Sequence, residues 1–365
     1  MDFYRIRNTC SFLSSPCSSA SIYSRRLAAV DEQTCITASG SSLWQLSIAA
    51  PDVVDDHARI DDLVRCPYTC ENSTVVTREV LISGISSCPV EIMDVCEQFA
   101  CTSRGELLRV SLPKDEDTAE TSPSITGCVQ WRRSDEIGIE RGPSSVTVSP
   151  EGNLVGVSIW SEKAILYGNA SESKPSGMIH TSARPVTLAF CPVLSSHANL
   201  LVVGAGAKAS CYDVREGRKV PVYDIGENPS ALVTSLIGLD GGQGVFVATN
   251  GLSLSFYDFR SSAKCCEQTV YPVASGCRSF IRADMHHVYV AGKASEMAVW
   301  QRPAVSSPEG VWRKLAVSDS PWIGCTFWEG TSQLWGLSQQ GTLHGIRFRY
   351  PKVLEEFPLF RPFQD

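Results

Sequence analysis

The segment SVTVSPEGNLVGVSIWSEKAILYGN, residues 145–169, decides the fold. It contains short runs in which apolar and polar residues alternate, a turn at Pro150-Glu151-Gly152, and a last run that ends near the aromatic Tyr167. Alternation with a period of two predicts half-buried strands, and a glycine in the turn supplies the positive φ that tight hairpins need. The segment therefore predicts a small antiparallel meander.

The same pattern recurs along the chain at 185–217, 231–262 and 277–302. The last aromatics of the four copies are separated by 45, 45 and 43 residues: Tyr167, Tyr212, Tyr257 and Trp300. A fifth copy has Ile346 at the equivalent position, another 46 residues along the chain. Four-stranded propeller blades have a period of about 40–45 residues. The spacing therefore favours a propeller.

Two weaker copies precede these, at 27–48 (ending near Leu46) and 90–112 (with Val110 at the aromatic position). Polar insertions at 50–73 and 113–124 account for their longer spacing. Seven copies predict an all-β fold: a seven-bladed β-propeller of four-stranded antiparallel blades over 27–350. The residues expected to form its core are Val146, Val148, Val155, Val157, Leu188, Phe190, Val202, Phe246, Val288, Val290, Leu334 and Trp335.

Four short motifs carry a family resemblance: SPEG at 149–152, YDVR at 212–215, YDFR at 257–260 and VWQR at 299–302. With them the chain resembles the WD-repeat family over about residues 27–350. That resemblance implies a propeller that serves as a platform for other proteins. The chain departs from the family pattern, because no repeat has a Trp-Asp pair and no Gly-His dipeptide precedes a blade.

The Tyr-Asp-x-Arg ends of two consecutive copies are the candidate partner site, formed by Asp213, Arg215, Asp258 and Arg260. In the WD-repeat family such ends resemble the box of substrate receptors of cullin-4 ubiquitin ligases. The resemblance implies that both arginines contact the cullin-4 adaptor from the rim. The alternative interpretation is that each aspartate caps a turn and each arginine is a solvated rim charge.

The resemblance, with the absence of common catalytic motifs, predicts a non-catalytic scaffold subunit of a multiprotein complex, with no catalytic residue, cofactor or metal. An alternative is a propeller associated with RNA or ribosome assembly, which would need a basic stripe. The stripe would include Arg132, Arg133, Arg141, Arg347 and Arg349. A channel-mouth hydrolase or transferase is a further alternative and would need clustered carboxylate–histidine pairs.

Two local motifs suggest ligands but favour simpler interpretations. The stretch LLVVGAGAKA at 200–209 contains G-x-G-x-x-A, yet no helix follows to receive a pyrophosphate, so we expect a glycine-rich hairpin. His57, Cys66, Cys70 and Cys88 could offer four zinc ligands, but their spacing is loose and idle thiols are favoured.

Composition bounds the remaining classes. The 365 residues carry a net charge of −7, which disfavours direct nucleic-acid binding. The sequence has no run of 18 apolar residues, so it does not predict a membrane-spanning helix. The 15 cysteines are an odd number and lie mostly in apolar runs, as Cys35, Cys191 and Cys211 do. We therefore expect reduced, buried thiols and a cytoplasmic or nuclear location.

The two ends compete to close the ring. Residues 1–26 contain a strand-like FYRIR at 3–7 and a Ser-rich stretch whose arginines also suggest a mitochondrial targeting segment, the less favoured interpretation. Residues 351–365 form an aromatic, Pro-containing tail with Phe357, Phe360 and Phe363. We expect the tail to supply the outer strand of the last blade, because a propeller must protect that edge.

Overall fold

A computed structural model shows, over the residues that it describes, 28 strands in seven four-stranded antiparallel sheets, which confirms the predicted all-β, seven-bladed propeller. The model contains no α-helix in the part of the chain that it describes, and no helix there is long and apolar enough to cross a membrane. The structure describes residues 2–6, 25–31, 34–48, 75–80, 91–103, 105–112, 124–130, 143–149, 151–159, 161–191, 200–215, 220–226, 232–238, 244–250, 252–259, 264–270, 279–283, 287–292, 296–302, 310–318, 320–328 and 333–347.

The first four blades each use four consecutive strands, ordered from the centre of the ring outward. Blade 1 contains β2 (Leu27–Ala29), β3 (Thr34–Ser39), β4 (Ser42–Ile48) and β5 (Val75–Val80). Blade 2 contains β6 (Ile92–Cys96), β7 (Phe99–Thr102), β8 (Glu106–Ser111) and β9 (Ser124–Gln130). Blade 3 contains β10 (Pro143–Val148), β11 (Leu154–Ile159), β12 (Ala164–Asn169) and β13 (Gly177–His180). Blade 4 contains β14 (Pro185–Cys191), β15 (Leu200–Ala205), β16 (Lys208–Asp213) and β17 (Tyr223–Gly226).

The last three blades follow the same order, except that blade 7 takes its outer strand from the start of the chain. Blade 5 contains β18 (Val233–Gly238), β19 (Gly244–Thr249), β20 (Ser253–Asp258) and β21 (Lys264–Val270). Blade 6 contains β22 (Ser279–Ala283), β23 (His287–Gly292), β24 (Glu296–Gln301) and β25 (Val311–Val317). Blade 7 contains β26 (Trp322–Trp328), β27 (Gln333–Ser338), β28 (Leu343–Arg347) and β1 (Asp2–Ile6).

The expectation that the C-terminal tail closes the ring is wrong, because β1 occupies the outer edge of blade 7. Phe3 lies opposite Ile346 and Tyr4 lies opposite Gly345 in the antiparallel pairing of β1 with β28. One sheet thus joins the first described strand to the last described strand, and β1 takes the edge beside β28 that we expected the tail to take. The tail itself lies outside the described residues, as does the Ser-rich stretch after residue 6.

The first strands of neighbouring blades contact one another around the whole ring and therefore surround a central channel. Five of these strands pair with the second strand of their blade through a one-residue register shift near their start. At the junction of blades 7 and 1, the N–H of Arg26 donates to the carbonyl of Ile323 at 3.1 Å. The N–H of Ala29 donates to the Thr326 hydroxyl at 2.9 Å.

Apolar side chains pack between adjacent blades, as the alternating pattern predicts. The seven repeat-end positions all lie on third strands, from Leu46 on β4 to Ile346 on β28. Tyr212 is buried in a cluster with side chains of blade 3, and Tyr257 is buried against blade 4. All 12 predicted core residues are buried at 8% exposure or less. Burying a side chain of this size contributes roughly 1.5–3 kcal/mol, so these interfaces hold the ring together.

The predicted turns have the expected chemistry, with one difference. Gly152 and Gly341 both have positive φ. At Asn250-Gly251 the positive φ falls on Leu252, and Gly251 lies outside the described residues. The G-x-G-x-x-A stretch forms a two-residue hairpin between β15 and β16, with Gly206 at φ 63°, which confirms the hairpin interpretation.

The two polar insertions join third strands to fourth strands. The paired strands β4 and β5 flank one insertion, and β8 and β9 flank the other. The residues between them lie outside the described part of the chain. Six cysteines have side chains that the structure describes; all six are free thiols, and five of them are buried: Cys35, Cys101, Cys191, Cys211 and Cys325. The four residues considered for zinc lie outside the described residues.

Candidate functional site

The predicted partner site begins where β16 leaves blade 4. The Asp213 carboxylate accepts hydrogen bonds from the backbone N–H of Arg215 at 3.1 Å and from its Nε at 3.0 Å. The second carboxylate oxygen accepts from Arg215 Nη2 at 2.6 Å. Asp213 thus caps the turn and holds the guanidinium in one orientation, as the turn-cap interpretation proposes.

Arg215 still reaches solvent. Its side chain is 36% exposed, whereas that of Asp213 is 10% exposed. A guanidinium has five N–H donors in a fixed plane, which suits it to directional contacts with carboxylates and carbonyls. The arrangement presents Arg215 in a fixed direction at the rim, with little side-chain freedom left to lose on binding.

The second Tyr-Asp-x-Arg end repeats part of this geometry. Asp258 ends β20 at 7% exposure, and Asp213 ends β16 at 8%, so both aspartates occupy equivalent buried positions on consecutive blades. Arg260 lies outside the described residues. The two-arginine contact therefore stays a prediction.

Exposed apolar side chains lie on the outer strands and connections of blades 3 and 4 and were not predicted. The connection from β16 to β17 carries Val220 and Val222, which are 70% and 45% exposed. Met178 on β13, the outer strand of blade 3, is 40% exposed. The sequence signal was the run Val220-Pro221-Val222, because a proline inside an apolar run marks an edge strand.

The outer strand of blade 4 is well anchored behind these valines. The N–H of Val222 donates to the carbonyl of Cys211 at 2.7 Å. The next residue, Tyr223, stacks on Phe259 of blade 5 with ring centroids 5.4 Å apart. A surface pair of Lys208 and Asp224 at 3.0 Å follows. These contacts hold the start of β17 against β16 and against blade 5.

A second group of charged residues lies at the channel. Asp94 on β6, 1% exposed, accepts from Arg25 Nη2 at 2.7 Å and from the N–H of Val146 on β10 at 2.8 Å. Arg25 Nη2 also donates to the carbonyl of Val146. Burial, the largest single effect, lowers the pKa of Arg25, but the charge of Asp94, its hydrogen bond and the nearby thiols Cys96 and Cys101 together outweigh burial, and the net pKa is raised. Asp94 therefore joins the first strands of blades 1, 2 and 3.

Nucleophilic chemistry is disfavoured at the thiols near this group. Burial raises the pKa of Cys101 well above its ordinary value and also raises the pKa of Cys96. Burial raises the pKa of Cys325 to about 12. Because the thiolate is the reactive form, these side chains are poor nucleophiles near neutral pH.

No metal-ligating group of three or more His, Cys, Asp or Glu side chains occurs in the described part of the chain. Of the six histidines, the structure describes His180, His287 and His344. The basic residues considered for RNA lie outside the described residues, apart from the backbone of Arg347 on β28.

Comparison with known proteins supports the fold. No protein-family model and no curated protein matches the sequence. A chain in the "Crystal Structure of Mitotic Checkpoint Complex" matches with a TM-score of 0.61 and 9% identity, over 95% of this chain and 93% of that chain. The likeness is one of fold. The likeness extends over nearly the whole chain. In all, 1632 solved chains match, so the fold is a common one.

Proposed function

We propose that this protein is a non-catalytic interaction scaffold, a divergent WD-repeat-like subunit that binds other proteins through its rim and top face. The observation that carries the proposal is the connection from β16 to β17 in blade 4, which carries the exposed Val220 and Val222 and also Arg215, whose guanidinium Asp213 orients. Large exposed apolar groups bordered by polar ones are typical of protein-binding surfaces, and arginine is enriched there.

The surface is suited to binding because it is already ordered. Val222 and Tyr223 are fixed by the β16–β17 pairing, and Arg215 is fixed by Asp213. A partner therefore does not have to immobilise these groups, a cost that would otherwise reduce affinity. The neighbouring edge strand β17 has four residues and follows a proline, which limits strand addition and self-association.

A substrate receptor of a cullin-4 ubiquitin ligase is the second candidate. The equivalent burial of Asp213 and Asp258, each after a buried tyrosine, favours it. In that case the adaptor would contact Arg215 and Arg260, and the scaffold surface would connect the ligase to a substrate. Both candidates place a partner on the same rim, and they differ in which protein is captured.

Affinity purification of the full chain with mass spectrometry tests the proposal. The double variant Val220→Asp/Val222→Asp should fold, because both side chains are exposed, and should lose the partners that wild type retains. Lys174→Ala, an exposed change on blade 3, is the matched control and should retain them. A wild-type chain that retains no partner, or a double variant that retains all of them, would contradict the proposal.

The captured set separates the two candidates. Recovery of a cullin-4 adaptor with wild type, and its loss from Arg215→Ala/Arg260→Ala, would favour the ligase receptor. Recovery of other partners that depend on Val220 and Val222 alone would favour the general scaffold. A chain that captures nothing yet turns over a metabolite would overturn both in favour of an enzyme.

A further inference from the structure

The adjacent arginines Arg25 and Arg26 end the stretch whose composition suggests a targeting segment. They lie directly before β2, the first strand of blade 1. A targeting segment is removed from the mature protein, so its residues are expected to be dispensable for the fold. The contacts of this arginine pair contradict that expectation.

Arg26 is buried at 3% exposure and contacts three blades. Its guanidinium donates to the Glu91 carboxylate at 3.0 Å and to the carbonyl of Ile92 at 2.9 Å, both at the start of blade 2. Its backbone N–H donates to the carbonyl of Ile323 in blade 7 at 3.1 Å, and its carbonyl accepts from the N–H of Ala38 in blade 1 at 3.2 Å. Arg26 therefore lies where blades 7, 1 and 2 meet.

Arg25 makes a similar set of contacts one residue earlier. Its Nη2 and Nε donate to the Asp94 carboxylate at 2.7 and 3.3 Å, and its carbonyl accepts from the N–H of Val95 at 3.3 Å. Asp94 and Glu91 are both buried. Two buried carboxylates of blade 2 are thus paired with the two adjacent arginines, and guanidinium groups are well suited to such buried pairs.

The start of the same stretch is also built into the ring. The strand β1 (Asp2–Ile6) pairs with β28 along its whole length and forms the outer strand of blade 7. Removal of residues 2–26 would uncover the edge of β28 and take the paired cations from Asp94 and Glu91. Both changes are unfavourable, because an uncovered strand edge promotes aggregation and a buried ion pair that loses one partner destabilises the fold.

We propose that β1 and the Arg25-Arg26 pair form a two-point clasp, and that the folded protein retains residues 2–26 for this reason. The clasp holds the ring on the outer edge of blade 7 and at the start of the first strand of blade 1. Arg25 and Arg26, which contribute to the composition of a targeting segment, serve the fold as counter-ions of blade 2. Loss of residues 2–26 would open the ring.

Mass spectrometry of the folded protein, purified from cells that express it from its own gene, tests retention. The tryptic peptide 8–25 should be recovered in the same molar amount as the peptide 283–293 from blade 6, measured against labelled standards. Labelling of the N-terminal amine should place the first residue at or before Asp2. A folded protein whose first residue lies between 7 and 27 would overturn the proposal.

Unfolding of the full chain in urea tests the arginine pair itself. Arg26→Gln removes a guanidinium from the buried Glu91, whereas Arg109→Gln makes the same substitution at an exposed position on β8. We expect Arg26→Gln to lower the ratio of folded to unfolded chain by at least about a hundredfold, and Arg109→Gln by about fivefold or less. Equal losses in the two variants would overturn the clasp.

A double variant tests the ion pair even if Arg26→Gln does not fold. Arg26→Leu/Glu91→Leu removes both charges, so it should have a higher ratio of folded to unfolded chain than Arg26→Gln. A double variant that is no more stable than Arg26→Gln would show that the pairing with Glu91 is not what makes Arg26 necessary, and the clasp would be wrong.

Discussion

Replacing Asp94 with alanine should destabilise the propeller more than any surface change of the same kind. The Asp94 carboxylate is the shared acceptor for Arg25 and for the backbone of Val146, and these groups belong to three different blades. Asp94→Ala removes the counter-ion of Arg25 and leaves two backbone N–H groups without this acceptor. Breaking a buried ion pair by removing one partner costs about 3–5 kcal/mol.

Equilibrium unfolding in urea, followed by tryptophan fluorescence, measures this cost as the change in the free energy of unfolding. Asp224→Ala is the matched control, because Asp224, like Asp94, accepts a hydrogen bond from a cationic side chain, here Lys208. Asp224 accepts a second hydrogen bond from the Ser210 hydroxyl, but its side chain is 50% exposed. Exposed pairs contribute roughly 0–1 kcal/mol. We expect Asp94→Ala to lose at least about 2 kcal/mol more than Asp224→Ala.

A double variant identifies the origin of the loss. If the main cost is the uncompensated charge on Arg25, Arg25→Leu/Asp94→Leu should be more stable than Asp94→Ala, because it removes both charges. A loss after Asp94→Ala within about 1 kcal/mol of the control would refute the reasoning. So would a double variant less stable than Asp94→Ala.

Three further predictions concern the junction of blades 7 and 1, the buried thiols Cys191 and Cys325, and the rim of blade 4. Gly324→Ala should destabilise the chain by about 1–3 kcal/mol in the same urea assay, because an added Cβ would lie 2.7 Å from a backbone nitrogen of blade 1. Burial raises the pKa of Cys191 and Cys325 to about 12. Both thiols should therefore react with DTNB at pH 8 about a thousandfold more slowly in the native chain than in guanidinium. Because the pKa of each thiol is lower in the unfolded chain, the stability that the two thiols contribute is complete below about pH 8.5 and is lost as the pH rises towards 12. Arg215→Ala/Arg260→Ala should change the free energy of unfolding by about 1 kcal/mol or less per site while a rim partner is lost, and a variant that melts several degrees lower yet retains every partner would show that both arginines only stabilise turns.

The repeating part of the fold could be predicted from sequence because it depends on local patterns. Residues that alternate in burial recur at a nearly constant period, and the positions of Tyr167, Tyr212, Tyr257 and Trp300 on third strands follow directly. Packing between blades needs the same residue types in every copy, so each of the seven copies predicts the same four-stranded blade.

Closure of the ring could not be predicted in the same way. The start of the chain and its aromatic tail both contain apolar residues suited to an edge strand, and alternation does not indicate which of them pairs with β28. The register from Asp2 opposite Arg347 to Ile6 opposite Leu343 depends on the geometry of the closed ring. Such a contact joins residues more than 300 positions apart, and no local pattern encodes it.

The pair of Arg25 and Asp94 at the channel could not be predicted for a related reason. Asp94 and Arg25 are 69 residues apart in the sequence. A single aspartate or arginine in a strand has no periodic signal, and it becomes informative only when the first strands of several blades meet. Part of the rim site could be predicted, because Tyr212 and Asp213 lie in a recurring motif. Its exposed valines lie in a connection that differs between blades.

Hydrogen–deuterium exchange of the full chain, alone and with a partner captured by wild type but not by Val220→Asp/Val222→Asp, tests the scaffold proposal most directly. Backbone amides exchange slowly when they are hydrogen-bonded and covered, so a bound partner slows exchange where it docks. We expect slower exchange at residues 220–226 of blade 4, with unchanged exchange at the inner strand β22. Slower exchange elsewhere on the propeller with no change at 220–226 would contradict binding at this rim.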